Sequence, residues 1–258
     1  MSQLVISQIS NRIGTITLNR PEKRNALGPD LVEDLTLAFE EMEKDDSVKI
    51  ILFKALGKAF CAGADLAYLQ SLQTFSYEEN LEDSKRLLKL FNLIYNFPKV
   101  VIAQIQGHAL AGGCGLVTVC DFAFSVPEAL FGYTEVRIGF IPALVSVFLQ
   151  EQIGGSKTQE LLLSGEMITA SKAAELGLIT SVVPSDFLDK SVEDFALKLA
   201  SQNSGNSMSE TKRLLRMIGK KEREEKLALA AELNAKARSH DDCIKGISSF
   251  LEKKSPNW

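Results

Sequence analysis

Short β-branched runs alternate with helical patterns along this chain until about residue 184, and beyond that point only helical patterns follow. Runs at 4–9, 13–18, 48–53 and 100–105 read as strands, as do the shorter 122–125 and 130–132. Between them, helices are expected at 30–44, with Pro29 in the first turn, at 77–96, stopped before Pro98, and over most of 135–149. The first of these carries its apolar stripe on Leu31, Leu35, Ala38, Phe39 and Met42. Such alternation predicts an α/β core of repeated strand-strand-helix units over residues 1–184. No repeat of fixed period is visible, so the repetition is structural. Residues 185–258 form a second, wholly helical region, with patterns at 186–202, 206–218, 222–238 and 241–253.

Composition excludes several function classes. With 33 acidic against 29 basic residues, a formal charge of −4 disfavours general affinity for nucleic acid or anionic membrane. No apolar run reaches the roughly 18 residues of a membrane span; 139–149 is too short and contains Pro142. The first ten residues lack the basic and apolar regions of a secretory leader. Four cysteines without a C-x-x-C pair indicate neither a disulfide framework nor a zinc site, and a reducing compartment, the cytoplasm, is expected. Two histidines, with no H-E-x-x-H, no G-x-S-x-G elbow and no Walker-type glycine loop, point to chemistry without a metal or redox cofactor.

Three segments carry the candidate chemistry. AFCAGADL (59–66) and GHALAGGCGL (107–116) are rich in small residues, which lets backbone amides face a ligand. Two such amides, one from each loop, make a site for an oxyanion, although either loop alone also reads as a tight turn. In FGYTEVRIGFIP (131–142), Glu135 stands at a helix start among apolar residues. It reads equally as a helix-stabilising acid or as a general acid/base with a raised pKa. Cys61, Cys114, His108, Asp121 and His240 read as structural residues.

The order and spacing of these segments resemble the enoyl-CoA hydratase/isomerase (crotonase) superfamily. NRPEKRNAL (19–27), Cys120-Asp121, GEMITASKAAELGLI (Gly165–Ile179) and FLEKK (250–254) stand at matching positions. The resemblance implies a ClpP/crotonase-type spiral with a C-terminal helical trimerisation region, assembled as a homotrimer or stacked hexamer. It implies an acyl-CoA thioester substrate, with CoA as part of the substrate and no separate cofactor, and no nucleic acid or membrane partner. The oxyanion amides would be those of Ala64 and Gly112, and Glu135 would be the acid/base.

By the same resemblance, Lys23 and Arg24 border the CoA, and the backbone of Ala62, Asp65 and Leu66 meets its adenine. The acyl pocket is expected to be lined from Tyr68 to Leu90 and from Phe140 to Phe148, while Phe250 and Lys253 reach the CoA of a neighbouring subunit. Gly113, Gly115 and Tyr133 complete the expected binding set. Arg137 is expected to pair with an acidic neighbour or cap local carbonyls.

One departure matters. Hydratases of the family commonly use two glutamates, and the place of the first holds Gly115. Family similarity implies reversible hydration of a 2-enoyl-CoA, including a branched, methylglutaconyl-like one. The lone glutamate keeps open Δ3,Δ2-enoyl-CoA isomerisation or a non-catalytic CoA-ester-binding role.

Overall fold

The computed structural model describes residues 3–258. Strands β1 (Val5–Ser10) and β2 (Ile13–Leu18) form an antiparallel hairpin closed by Asn11 and Arg12, both at positive φ, the twist that two-residue hairpin turns need. Helix α1 (Pro29–Lys44) follows, burying the predicted stripe of Leu31, Leu35, Ala38, Phe39 and Met42. Then the repeating unit begins. Strands β3 (Ile50–Ala55) and β4 (Ala59–Cys61) precede helices α2 (Leu66–Leu72) and α3 (Tyr77–Tyr95). Strands β5 (Val100–Ile105) and β6 (His108–Leu110) precede α4 (Gly112–Thr118). Strands β7 (Phe122–Ser125) and β8 (Leu130–Gly132) precede a 3-10 turn, Glu135–Ile138, and α5 (Ala143–Ile153).

Each unit sends its two strands to different sheets. The first strands pair in parallel within a six-stranded sheet of order β1-β2-β3-β5-β7-β10, whose last strand is Ser181–Val182. The second strands build a smaller sheet of order β4-β6-β8-β9, whose last strand is Ile168–Thr169. Helix α6 (Gly155–Ser164), β9 (Ile168–Thr169), α7 (Ala170–Leu176) and β10 (Ser181–Val182) close the two sheets. All six residues of β5 are buried, as expected of a parallel strand covered on both faces. Phe39, Phe53, Phe60 and Phe97 meet edge-to-face, with centroids 5.4–5.7 Å apart, and weld α1 to the larger sheet.

The helical pattern expected over 135–149 is broken. Gly139 takes φ +71° and Pro142 cannot continue the preceding turn, so the 3-10 turn ends before α5 begins. The short helices α2, α6 and α7 and the three-residue strands β4 and β6 lie outside the sequence expectations as well.

Beyond β10, helices α8 (Leu188–Gln202), α9 (Gly205–Met217), α10 (Lys220–Arg238) and α11 (Asp241–Leu251) follow. Leu188, Val192, Ala196, Leu227, Ala230 and Ala231 join the same buried core as the strands, so one core runs across the 184/185 division. Polar ties reinforce it. Asp121 accepts from the Val101 amide at 2.8 Å, from Lys212 at 2.6 Å and from Arg216 at 3.1 Å. The Arg216 guanidinium lies 3.6 Å from the Tyr95 ring centroid, and Arg223 bonds Glu151 at 2.9 Å. Lys212 is only 7% exposed, so Asp121→Asn leaves a buried ammonium without its counter-charge. Urea denaturation of that variant is expected to show a loss of about 3 kcal/mol or more.

Helix α11 returns to the 3-10 turn. A Cβ on Gly246 would stand 2.4 Å from the Ile138 carbonyl carbon, so α11 presses directly on the turn that carries Glu135.

Candidate active site

Strand β4 runs into a loop that is held like a further strand. The Leu27 amide donates to the Gly63 carbonyl at 2.7 Å, and the Asp65 amide donates to the Leu27 carbonyl at 2.8 Å. Successive amides along an extended segment point to opposite sides, so the Ala64 N–H faces away from Leu27. It has no main-chain acceptor among the described residues. Asn25 underlies this arrangement. Fully buried, it donates to the carbonyls of Leu56 and Ala59, each at 2.9 Å, and accepts from the Arg20 amide. Its neighbour Arg24 accepts from the Ala62 amide at 3.1 Å. Asn25 was missed as a positioning residue, and its only sequence signal is its place within NRPEKRNAL.

The second amide is Gly112, the first residue of α4. Ala111 before it sits at φ +48°, ψ −124°, a conformation costly for alanine, and such strain concentrates at functional sites. The Ala111 amide donates to the Gly132 carbonyl at 2.7 Å, which leaves Gly112 N–H free of any main-chain acceptor among the described residues.

Glu135 opens the 3-10 turn after β8. The residue is half-buried, yet its Oε2 is sealed from bulk water and has no hydrogen-bond partner among the described residues. Burial raises its carboxyl to a pKa of about 7, so both protonation states are accessible near neutrality.

Ala64, Gly112 and Glu135 border one cavity of about 930 Å³. Lys23, Arg24, Ala62, Asp65, Leu66, Tyr68 and Phe140 border it too. Phe250 and Lys253, expected to reach a neighbouring subunit's ligand, border the cavity of their own chain. Asp65 is already committed, capping α2 through the amides of Ala67 and Tyr68 and pairing with Arg20 at 3.0 Å.

Three expected binding residues stand behind the cavity wall. A Cβ on Gly113 would lie 2.3 Å from the Cys61 carbonyl oxygen, so that glycine permits α4 to touch β4. Tyr133 is fully buried, its hydroxyl 2.6 Å from that of Thr118. At Gly115 an added Cβ would come within 2.7 Å of the Phe91 ring, which itself borders the cavity. An aromatic ring therefore fills the space into which a side chain at 115 would grow.

The other assignments resolve as follows. The Arg137 side chain is exposed and makes no ion pair or hydrogen bond among the described residues, contrary to expectation. His108 accepts from the Leu130 amide through Nδ1, and His240 caps α11. Cys61 and Cys114 are buried, which pushes both thiols up to about 12 and removes them as nucleophiles. Among the described residues no group of three or more His, Cys, Asp and Glu could hold a metal ion, and no helix is long and apolar enough to cross a membrane. Asp83 and Arg86, inside the expected pocket segment 68–90, border the cavity as well, and so do Asn234 and Arg238, which sequence reasoning missed.

The profile of the enoyl-CoA hydratase/isomerase family matches residues 8–258. A Thermus thermophilus protein provisionally named an enoyl-CoA hydratase is 38% identical over 246 residues, covering 95% of this chain and 97% of its own. The 2,3-dehydroadipyl-CoA hydratase of Escherichia coli is 32% identical over 262 residues, covering 100% and 99%. Among solved structures, an enoyl-CoA hydratase from Mycobacterium avium superposes with a TM-score of 0.88 at 31% identity, over 100% of both chains.

Proposed function

This chain belongs to the enoyl-CoA hydratase/isomerase family, and from that membership we propose that it adds water reversibly across the C2–C3 double bond of a 2-enoyl-CoA, with Glu135 as its one acid/base. The observation that carries this reading is the unpartnered Oε2 of Glu135 on the wall of the cavity that Ala64 and Gly112 also border.

The thioester oxygen is held by the amides of Ala64 and Gly112. The Glu135 carboxylate takes a proton from a water molecule as its oxygen bonds C3. The C2–C3 π pair moves toward C1, and the negative charge gathers on the thioester oxygen, where the two amides stabilise it. Glu135, now protonated, delivers that proton to C2, and the enolate collapses to the 3-hydroxyacyl-CoA. Proton and hydroxyl thus arrive from the face that Glu135 occupies. The route needs no cofactor beyond the CoA of the substrate. Lys23 and Arg24 offset its phosphate charge, and a branched acyl group of the methylglutaconyl kind falls within the proposed range.

A second reading is isomerisation of a 3-enoyl-CoA, favoured by the Phe91 ring beside Gly115. Removing a proton at C2 and returning it at C4 needs one base only. The exposed apolar residues Leu214, Leu215, Ile218 and Leu229 support a trimer or hexamer as the assembly, and four free, buried thiols support a reducing cytoplasm.

Incubation with 2-enoyl-, 3-enoyl- and 3-hydroxyacyl-CoA esters, read by mass spectrometry, tests the proposal. Hydration predicts that the 2-enoyl ester gains the mass of one water. Conversion of the 3-enoyl ester at unchanged mass, with the 2-enoyl ester inert to water, would replace it by isomerisation. Binding without any conversion would make the chain a CoA-ester-binding homologue.

A further inference from the structure

Past Phe140 the cavity wall, otherwise apolar at Leu69, Leu72 and Ile138, contains a charged cluster that the hydration chemistry does not use. Arg238 of α10 is 6% exposed, borders the cavity, and stands 5.7 Å over the Phe140 ring. Its Nη1 donates to Asp83 at 2.6 Å and to Asn80 at 3.2 Å, and its Nε donates to Asn234 at 3.1 Å. The Tyr68 hydroxyl donates to the other Asp83 oxygen, so both oxygens of that carboxylate are engaged. Nη2 of Arg238 has no acceptor among the described residues. One turn along α3 from Asp83, the exposed Arg86 borders the same cavity and likewise has no partner among the described residues.

Asp83, Arg238 and Arg86 together carry one net positive charge and more donors than acceptors. As a tether between α3 and α10 such an arrangement is poor economy, because a buried ion pair seldom outperforms apolar packing. What the cluster lacks is a group with one negative charge and several acceptor lone pairs. It also lies close to the reaction centre, since the Phe140 amide donates to the Glu135 carbonyl at 3.1 Å.

We propose that Arg238 and Arg86 form a subsite for a carboxylate at the far end of the acyl chain, so that the preferred substrates are mono-CoA thioesters of short unsaturated dicarboxylic acids. Asp83 and Tyr68 hold the Arg238 plane in place, leaving Nη2 to meet the incoming carboxylate, with Arg86 as the second donor. An acyl chain ending in methyl would instead cover these donors without bonding them, a penalty that selects against it. This inference rests on the hydration reading and adds the identity of the acyl end.

The test compares kcat/KM for 2,3-dehydroadipyl-CoA with that for trans-2-hexenoyl-CoA, two esters with the same six-carbon chain. The wild type is expected to favour the carboxylated ester by about tenfold or more. Arg86→Met, on an exposed side chain, is expected to cut that ratio severalfold. The double variant Asp83→Asn, Arg238→Met, which leaves no lone buried charge, is expected to bring the ratio to one or below. A wild-type ratio at or below one, with hexenoyl-CoA hydrated, overturns the subsite and leaves the hydration reading standing, as does a preference that survives both variants. Failure to hydrate either ester overturns both.

Discussion

Glu135→Gln is expected to lower kcat by about a thousandfold while acyl-CoA binding persists, because the variant keeps the shape of the site and loses the proposed proton carrier. No neighbour can take over. Asp65 is bound to Arg20 and the start of α2, Asp83 is bound to Arg238 and Tyr68, and position 115 has no carboxyl. Stopped-flow or mass-detected turnover measures the loss, and calorimetric titration with a saturated acyl-CoA checks binding. The proposed route starts from the carboxylate, so wild-type kcat/KM is expected to fall as pH drops through about 7. The residual activity of the variant lacks that limb.

Stability moves the other way. A folded-state pKa of about 7 against an ordinary 4.5 means that the folded chain holds this proton more tightly than the unfolded chain. Stability contributed by the protonated form is therefore complete below about 4.5 and is lost as pH rises to about 7. The gap corresponds to roughly 3 kcal/mol. Relative to wild type, Glu135→Gln is expected to gain stability between pH 4 and pH 8 by up to that amount, measured by denaturant unfolding at both pH values.

The second large effect concerns a main-chain group. Gly112→Pro removes the amide and is expected to reduce kcat by about a hundredfold or more, the usual effect of losing one oxyanion donor. The site tolerates the ring better than most. Proline is favoured at the first position of a helix, and an added Cβ meets only the flexible end of Leu27 at 3.0 Å. Gly112→Ala, which keeps the N–H, serves as the control and is expected to retain most activity. A folded proline variant with wild-type turnover would show that this amide does not hold the substrate.

What the sequence revealed, and what it hid, follows from distance along the chain. Strands such as β3 and β5 are legible because five of six consecutive positions are apolar and several are β-branched, and α1 because its stripe recurs at helical spacing. Strands β4 and β6, at three residues each, are too short for any period to show, and they sit inside glycine-rich stretches that read as loops. At the site, Ala64, Gly112 and Glu135 reach one cavity from three segments that local chemistry singled out, the individual residues being those the family resemblance implies. Gly113, Gly115 and Tyr133, one to three positions away from those residues, turn into the core. Adjacency in sequence does not reveal which side of a helix or strand faces the ligand. Arg238 carries no local signal at all, since its meeting with Asp83 depends on how α10 packs against α3 across 155 positions.

A crystal structure of Glu135→Gln with a bound 2-enoyl-CoA addresses the whole arrangement at once. The account predicts the thioester oxygen about 3 Å from both the Ala64 and Gly112 nitrogens, with the residue at 135 facing C2 and C3. A carbonyl bonded to neither nitrogen, or a side chain at 135 directed to bulk water, would contradict it.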